Sequence, residues 1–112
     1  ATAVEAAEQL AVDGIEAEII DLRSISPFDA EAVIESVARA GALVAVQDAP
    51  VPFGIGKMAI SSVAEEDPTL LRSAPRVVGP PFAPTPFSPE LEKRFYPTAE
   101  QVVAEVKAAI DR

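Results

Sequence analysis

Apolar residues recur at helical spacing in the first half of the chain, in two stretches bounded by residues that start or stop helices. The first stretch runs from Thr2 to Asp13 and is followed by Gly14, a residue suited to a left-handed helix end. The second stretch begins at Asp29, whose carboxylate suits an N-cap, and ends at Gly41. The pattern therefore predicts two helices before the middle of the chain.

The second half repeats this pattern, with helices predicted after a glycine turn and after a capping box. The turn Gly54-Ile55-Gly56 leads into a helix through Met58, Ile60, Val63 and Ala64. Thr98 and Gln101 have capping-box spacing before a last helix, whose apolar face is Val102, Val103, Val106, Ala109 and Ile110. Ser88 and Pro89 also predict the start of a short helix through Leu91.

Short apolar runs at 15–22, 42–46 and 76–78 separate the helices and predict strands. A continuous apolar run such as 42–46 suits a strand that helices cover on both faces. The order of elements predicts a three-layer α/β/α fold with a mostly parallel sheet. A length of 112 residues and a hydrophobic content of 49% suit one domain, 1–112, with a packed core.

Five prolines lie between Gly79 and Pro89 and interrupt the alternation of helices and strands. Proline removes a backbone donor and restricts φ, so this segment is expected to run extended along the surface. Phe82 and Phe87 favour a strap that docks on the domain. A flexible linker is the alternative.

The composition excludes most self-contained catalytic schemes and several classes of partner. The chain has no cysteine and no histidine, so thiolate chemistry and the commonest general base are missing. Its net charge of −9 disfavours nucleic acid and anionic membrane surfaces as partners. No apolar run approaches a membrane span and no signal peptide is evident, which predicts a cytoplasmic or organelle-matrix location.

Most of the acidic excess lies between Glu5 and Glu35, a stretch that contains nine carboxylates and a single basic residue, Arg23. A basic protein partner would complement that surface. A solvated acidic face that keeps the protein soluble is the alternative.

Two features invite comparison with known ligand sites. The segment Gly54–Lys57 lacks the first Gly and the Ser or Thr of a phosphate-binding loop, so it predicts a tight turn, with a weak anion site still open. Asp21 and Asp48 follow predicted parallel strands, at the sheet edge where open α/β folds bind ligands. Structural roles, such as an Asp21–Arg23 pair, are the alternative.

Several motifs in order resemble the C-terminal domain of the beta subunit of thiamine-diphosphate-dependent 2-oxoacid dehydrogenases, within the transketolase C-terminal superfamily. They are Ile20–Asp29, Val33–Val37, Leu43–Val46, Phe53–Gly56, Ala74–Val77, Pro84–Glu92 and Tyr96–Thr98. The resemblance covers essentially the whole chain. It departs from the family where Lys57, Met58 and Ala59 follow the second Gly and where Asp48 replaces a Glu.

This resemblance implies a non-catalytic domain for assembly and docking. Its implied partners are the alpha subunit, a second beta subunit and the basic subunit-binding domain of a dihydrolipoyl acyltransferase. Thiamine diphosphate and magnesium would belong to the complete enzyme, with none bound by these residues alone, which are expected to be inactive. Candidate signature or interface residues are Asp21, Arg23, Pro27, Asp48, Gly54, Gly56 and Pro86.

The resemblance leaves three questions open: the extent of the polypeptide, the rival functions and the substrate. The family's domain begins with a further sheet strand ahead of the helix at Thr2, so the chain is expected to be part of a longer polypeptide. A free-standing α/β module that binds a small ligand is the rival function, and another transketolase-superfamily enzyme is a third. The choice among pyruvate, branched-chain oxoacids and acetoin lies outside these residues.

Overall fold

Helices on both faces of a small parallel sheet form the architecture. The computed structural model describes residues 2–20, 29–47, 54–80 and 97–110. In order, these contain α1 (Thr2–Val12), α2 (Ala30–Ala40), β1 (Val44–Val46), α3 (Ile55–Glu66), a 3₁₀ turn (Pro68–Leu70), β2 (Arg76–Val78) and α4 (Ala99–Ile110). The strands pair in parallel, with Val44 opposite Arg76 and Val46 opposite Val78.

Local capping explains where the helices begin and end. The Asp29 carboxylate accepts a hydrogen bond from the Ala32 amide at 3.1 Å, and Gly41 ends α2 with a left-handed φ of 75°. At α4 the Thr98 hydroxyl accepts from the Gln101 amide, and the Gln101 side chain accepts from the Thr98 amide. These caps confirm the predicted starts of α2 and α4. The prediction was possible because each cap depends only on residues that are close in sequence.

Two apolar clusters hold the helix layers against the sheet. On one face, α2 and α3 bury Val33, Val37, Ala59 and Val63. On the other, α1 and α4 bury Ala6, Ala99 and Val102 against Val46 and Val78 of the strands. The three-layer α/β/α arrangement predicted from the alternation of elements is confirmed, with the two-stranded parallel sheet between the layers.

The strand predicted over 15–22 is wrong for the residues that the structure describes. Residues 15–20 follow α1 without joining the sheet, and the Ile15 amide donates to the Leu10 carbonyl at 2.9 Å. A strand needs a neighbour that pairs with its backbone, and a groove lies between this segment and β1. The strap and the helix predicted from Ser88 fall mainly at 81–96, outside the described residues.

The 3₁₀ turn carries a pH-sensitive cap. The Asp67 carboxylate accepts hydrogen bonds from the Thr69 hydroxyl at 2.6 Å and the Thr69 amide at 3.0 Å. The hydroxyl bond first, and the amide bond second, hold the pKa of Asp67 below its usual value of 3.8. A depressed carboxyl pKa stabilises the folded state above the unfolded pKa, and this stabilisation is lost as pH falls through the folded pKa.

We therefore expect Thr69→Val to raise the pKa of Asp67 towards 3.8 while the amide bond remains. The variant should be less stable than the parent at neutral pH, and the difference should vanish in strong acid because the carboxyl is then protonated in both proteins. Carboxyl-carbon NMR titration and urea unfolding at the two pH values measure this. An unchanged pKa would show that the hydroxyl bond does not form in solution.

Candidate functional site

The end of β1 is tied to the start of α3 by a buried glutamine. Gln47 follows β1 directly and is 8% exposed. Its Oε1 accepts a hydrogen bond from the Gly56 amide at 2.8 Å, in the first turn of α3. Its own amide donates to the Val78 carbonyl at 3.0 Å, which extends the pairing of the two strands. Gln47 therefore connects β1, β2 and α3 at the carboxyl end of the sheet.

Gly56 allows α3 to approach the sheet closely. A Cβ at this position would lie 2.6 Å from Gln47 Oε1 and 2.9 Å from a methyl carbon of Val77. Such distances are shorter than van der Waals contact, so any larger residue would separate helix and sheet. Gly54, just before the helix, has a φ of 91° that favours glycine. The two glycines make the tight turn that the sequence predicts.

The hydrogen bond between Gly56 and Gln47 affects whether the start of α3 can bind an anion, a possibility that the sequence leaves open at Gly54–Lys57. A helix N-terminus binds anions through its unpaired amides. The Gly56 amide is already occupied by Gln47 Oε1 inside the protein. That amide is therefore unavailable to a phosphate or carboxylate ligand.

The remaining candidate residues cannot be placed on this site. Asp21, Arg23, Pro27, Asp48 and Pro86 lie outside the described residues. Their expected roles at the sheet edge or at an interface stay predictions. Gln47 is the residue that sequence reasoning missed, although its position as the first polar residue after the apolar run 42–46 was a signal.

A groove of about 560 Å³ opens beside β1, which we call the β1-edge groove. Its walls come from residues 15–20, from residues 42–46 and from all four helices, and they include no residue of β2. It therefore lies between the two helix layers, at the edge of β1 that faces away from β2. Its lining is mostly apolar, with Glu16, Glu18 and Ser36 as the polar members.

Exposed carboxylates occupy the surface of α1 and of the segment after it. Asp13 pairs with Lys107 at 2.6 Å, and Glu18 pairs with Arg39 at 2.6 Å. Glu5 and Glu8 lie three residues apart on α1, are exposed, and form no ion pair within the described ranges. α1 contains these two carboxylates and no basic residue, so its charged surface is acidic.

The described residues contain no ready metal centre. No group of three or more His, Cys, Asp or Glu among them is placed to hold a metal ion. None of the helices in these ranges combines the length and apolarity needed to cross a membrane.

A parallel sheet between two helix layers, with a glycine turn from strand to helix at its carboxyl end, defines the class as an open α/β domain. Residues 1–102 match the family described as transketolase, C-terminal domain. The chain belongs to this family.

Named relatives carry more specific descriptions. The chain is 44% identical over 102 residues to the acetoin:2,6-dichlorophenolindophenol oxidoreductase subunit beta of Cupriavidus necator, covering 91% of this chain and 30% of that protein. It is 40% identical over 110 residues to the mitochondrial pyruvate dehydrogenase E1 component subunit beta of Caenorhabditis elegans, covering 96% and 31%. The Pisum sativum counterpart is 36% identical over 110 residues, covering 98% and 31%. The chain thus spans about a third of these relatives.

Proposed function

We propose that this chain is a non-catalytic assembly and docking domain of the beta subunit of a 2-oxoacid or acetoin dehydrogenase. The relatives named as beta subunits support the class of enzyme. The observation that carries the docking part is the acidic surface of α1, where Glu5 and Glu8 are exposed and no basic residue is present. The proposed partners are the alpha subunit, a second beta subunit and the basic subunit-binding domain of a dihydrolipoyl acyltransferase.

The described residues do not fit the cofactor of such an enzyme. Thiamine diphosphate with magnesium needs oxygen ligands for the metal and cationic or amide donors for the phosphates. The β1-edge groove is mainly apolar, and the Gly56 amide is occupied by Gln47. We therefore assign no chemical step to the described residues and propose that other residues of the complete enzyme hold its cofactor.

The proposed location follows the relatives, which include a bacterial protein and proteins named as mitochondrial. A bacterial cytoplasm or an organelle matrix is consistent with that set.

Charge complementarity between an acidic domain and a basic partner mainly raises the association rate and the specificity.

We expect Glu5→Gln combined with Glu8→Gln to weaken binding of the acyltransferase's subunit-binding domain by about fivefold to tenfold at low salt. The loss should come from slower association and should shrink as salt screens the charges. Titration calorimetry and stopped-flow mixing across a salt series measure both quantities.

The matched control is Glu31→Gln combined with Glu35→Gln, which removes the same charge from α2. That helix also carries Arg39, so its charged surface is not acidic throughout. We expect less than a twofold change for this pair. Equal losses for the two pairs, or binding that ignores salt, would contradict docking on α1. Binding of thiamine diphosphate by residues 1–112 would contradict the non-catalytic assignment.

A further inference from the structure

The end of α1 carries an aspartate followed by a glycine on the protein surface. Asp13 comes directly after α1, and 50% of its side chain is exposed. Gly14 is exposed, has a left-handed φ of 78°, and a Cβ there would meet no atom within 4 Å. Attack of the following amide nitrogen on an aspartate side chain is easiest when the next residue is glycine, because glycine places no side chain beside that nitrogen.

The other aspartates of the described ranges differ from Asp13 in the residue that follows them. Asp67 precedes Pro68, which has no N–H to lose. Asp29 precedes Ala30, whose methyl group hinders the nitrogen, and the Asp29 carboxylate is already engaged in the cap of α2. The chain contains no asparagine, so no side-chain amide of that kind competes. Asp13 is therefore the described aspartate that is best placed to react.

We propose that Asp13 and Gly14 form a site of spontaneous isomerisation to isoaspartate. The Gly14 nitrogen attacks the carbon of the protonated Asp13 carboxyl group and closes a five-membered succinimide ring, and the carboxyl OH leaves with the Gly14 N–H proton as water. A water molecule then opens the ring at one of its two carbonyls. Opening at the side-chain carbonyl restores aspartate, whereas opening at the main-chain carbonyl leaves Gly14 joined through the side chain as isoaspartate. Water is the only co-reactant, and the mass of the chain is unchanged.

The folded structure holds both reacting groups in other contacts. The Gly14 amide donates to the Ala11 carbonyl at 3.0 Å, as in a Schellman helix end. The Asp13 carboxylate pairs with Lys107, in the last turn of α4, at 2.6 Å. Because opening costs little free energy at a helix end, the reaction proceeds through brief fraying of α1.

Isomerisation at this site changes the main chain where α1 ends. Isoaspartate lengthens the main chain by one carbon, so the Ile15 amide moves away from the Leu10 carbonyl, to which it donates at 2.9 Å. That hydrogen bond fixes the direction in which residues 15–20 leave α1, and these residues form one wall of the β1-edge groove. The modification therefore loosens that wall and leaves the packing of α2 on α3 intact.

Ageing of the folded protein in neutral buffer tests the proposal. Isoaspartate is measured by enzymatic methyl transfer from S-adenosylmethionine and is located by peptide mapping. We expect it at position 13 and not at positions 29 and 67. Gly14→Ala should lower the rate at least about fivefold, because the added methyl group hinders the nitrogen. Folded protein without isoaspartate at position 13, or with equal amounts at the three positions, would overturn the proposal.

Asp13→Glu is a second variant that does not depend on the left-handed glycine. It keeps the charge and Gly14, but cyclisation would need a six-membered ring, so methyl transfer to this region should disappear. Methyl transfer that persists in Asp13→Glu would show that another residue of the chain is the source and would overturn the assignment to Asp13.

The restraint from α4 is tested separately with Lys107→Gln, which releases the Asp13 carboxylate. Isoaspartate should then form about twofold to fivefold faster, since an exposed ion pair restrains its partners only weakly. Lys57→Gln is the matched control, because it removes the same charge from the first turn of α3 and should leave the rate unchanged. Equal rates for the two variants would contradict the restraint by Lys107.

Discussion

Val63→Asp should lower the free energy of unfolding by at least about 4 kcal/mol at neutral pH. Val63 is 0% exposed and lies at the centre of the cluster that joins α2 to α3. A carboxylate there would lose its hydration among Val33, Val37 and Ala59 and would have no partner. An uncompensated buried charge costs at least about 4 kcal/mol, a large part of the roughly 5 to 15 kcal/mol that stabilises a domain.

Ala64→Asp is the matched control, because it introduces the same carboxylate one residue along α3 at an exposed position. It should lower the free energy of unfolding by only about 1 kcal/mol, through helix propensity and the unfavourable end of the helix dipole. Circular dichroism and urea unfolding compare the variants. A loss for Val63→Asp no larger than that for Ala64→Asp would mean that α3 does not pack against α2 as the structure has it.

Gly56→Ala should lower the free energy of unfolding by about 1 to 3 kcal/mol, although alanine is the better helix former. The gain in propensity is about 1 kcal/mol. Against it, the added methyl would lie 2.6 Å from Gln47 Oε1 and 2.9 Å from a Val77 methyl carbon. Overpacking and the weakened bond from the Gly56 amide to Gln47 outweigh the propensity because both occur in buried surroundings.

A double-mutant cycle with Val77→Ala isolates the part of this cost that comes from the Val77 methyls. Removing the Val77 methyls provides room for the new Cβ, so Gly56→Ala should cost less in the Val77→Ala background than in the parent. Urea unfolding of the four proteins gives the interaction energy. A cost that is the same in both backgrounds would place the strain elsewhere, and a stabilised single variant would contradict the close approach of helix and sheet.

The helices followed from the sequence because their signals are local. The Asp29 cap, the left-handed Gly41 and the reciprocal bonds of Thr98 and Gln101 all involve residues at most four positions apart. Propensity, apolar spacing and capping act within one turn, so a linear pattern contains them. The alternation of these helices with apolar runs was then enough to predict two helix layers around a parallel sheet.

The strand predicted over 15–22 is wrong for residues 15–20 because strand formation is decided by a neighbour, which a local pattern does not contain. Ile15, Ile19 and Ile20 give this segment the composition of a strand, yet within the described residues it lies across a groove from β1. Gln47 was missed for a related reason. Its role depends on Gly56, nine residues away, which is brought to it by the packing of α3 on the sheet.

The sequence by itself therefore determined the four described helices, the caps at Asp29 and Thr98, the α/β class and the family, because these rest on short-range periodicity and on ordered motifs. Only the tertiary structure decided which apolar residues are covered. Val63 is enclosed by two helices, whereas Val4 and Ile110, on stripes of the same kind, border an open groove. Burial depends on what packs against a face, and that is a property of the assembled layers.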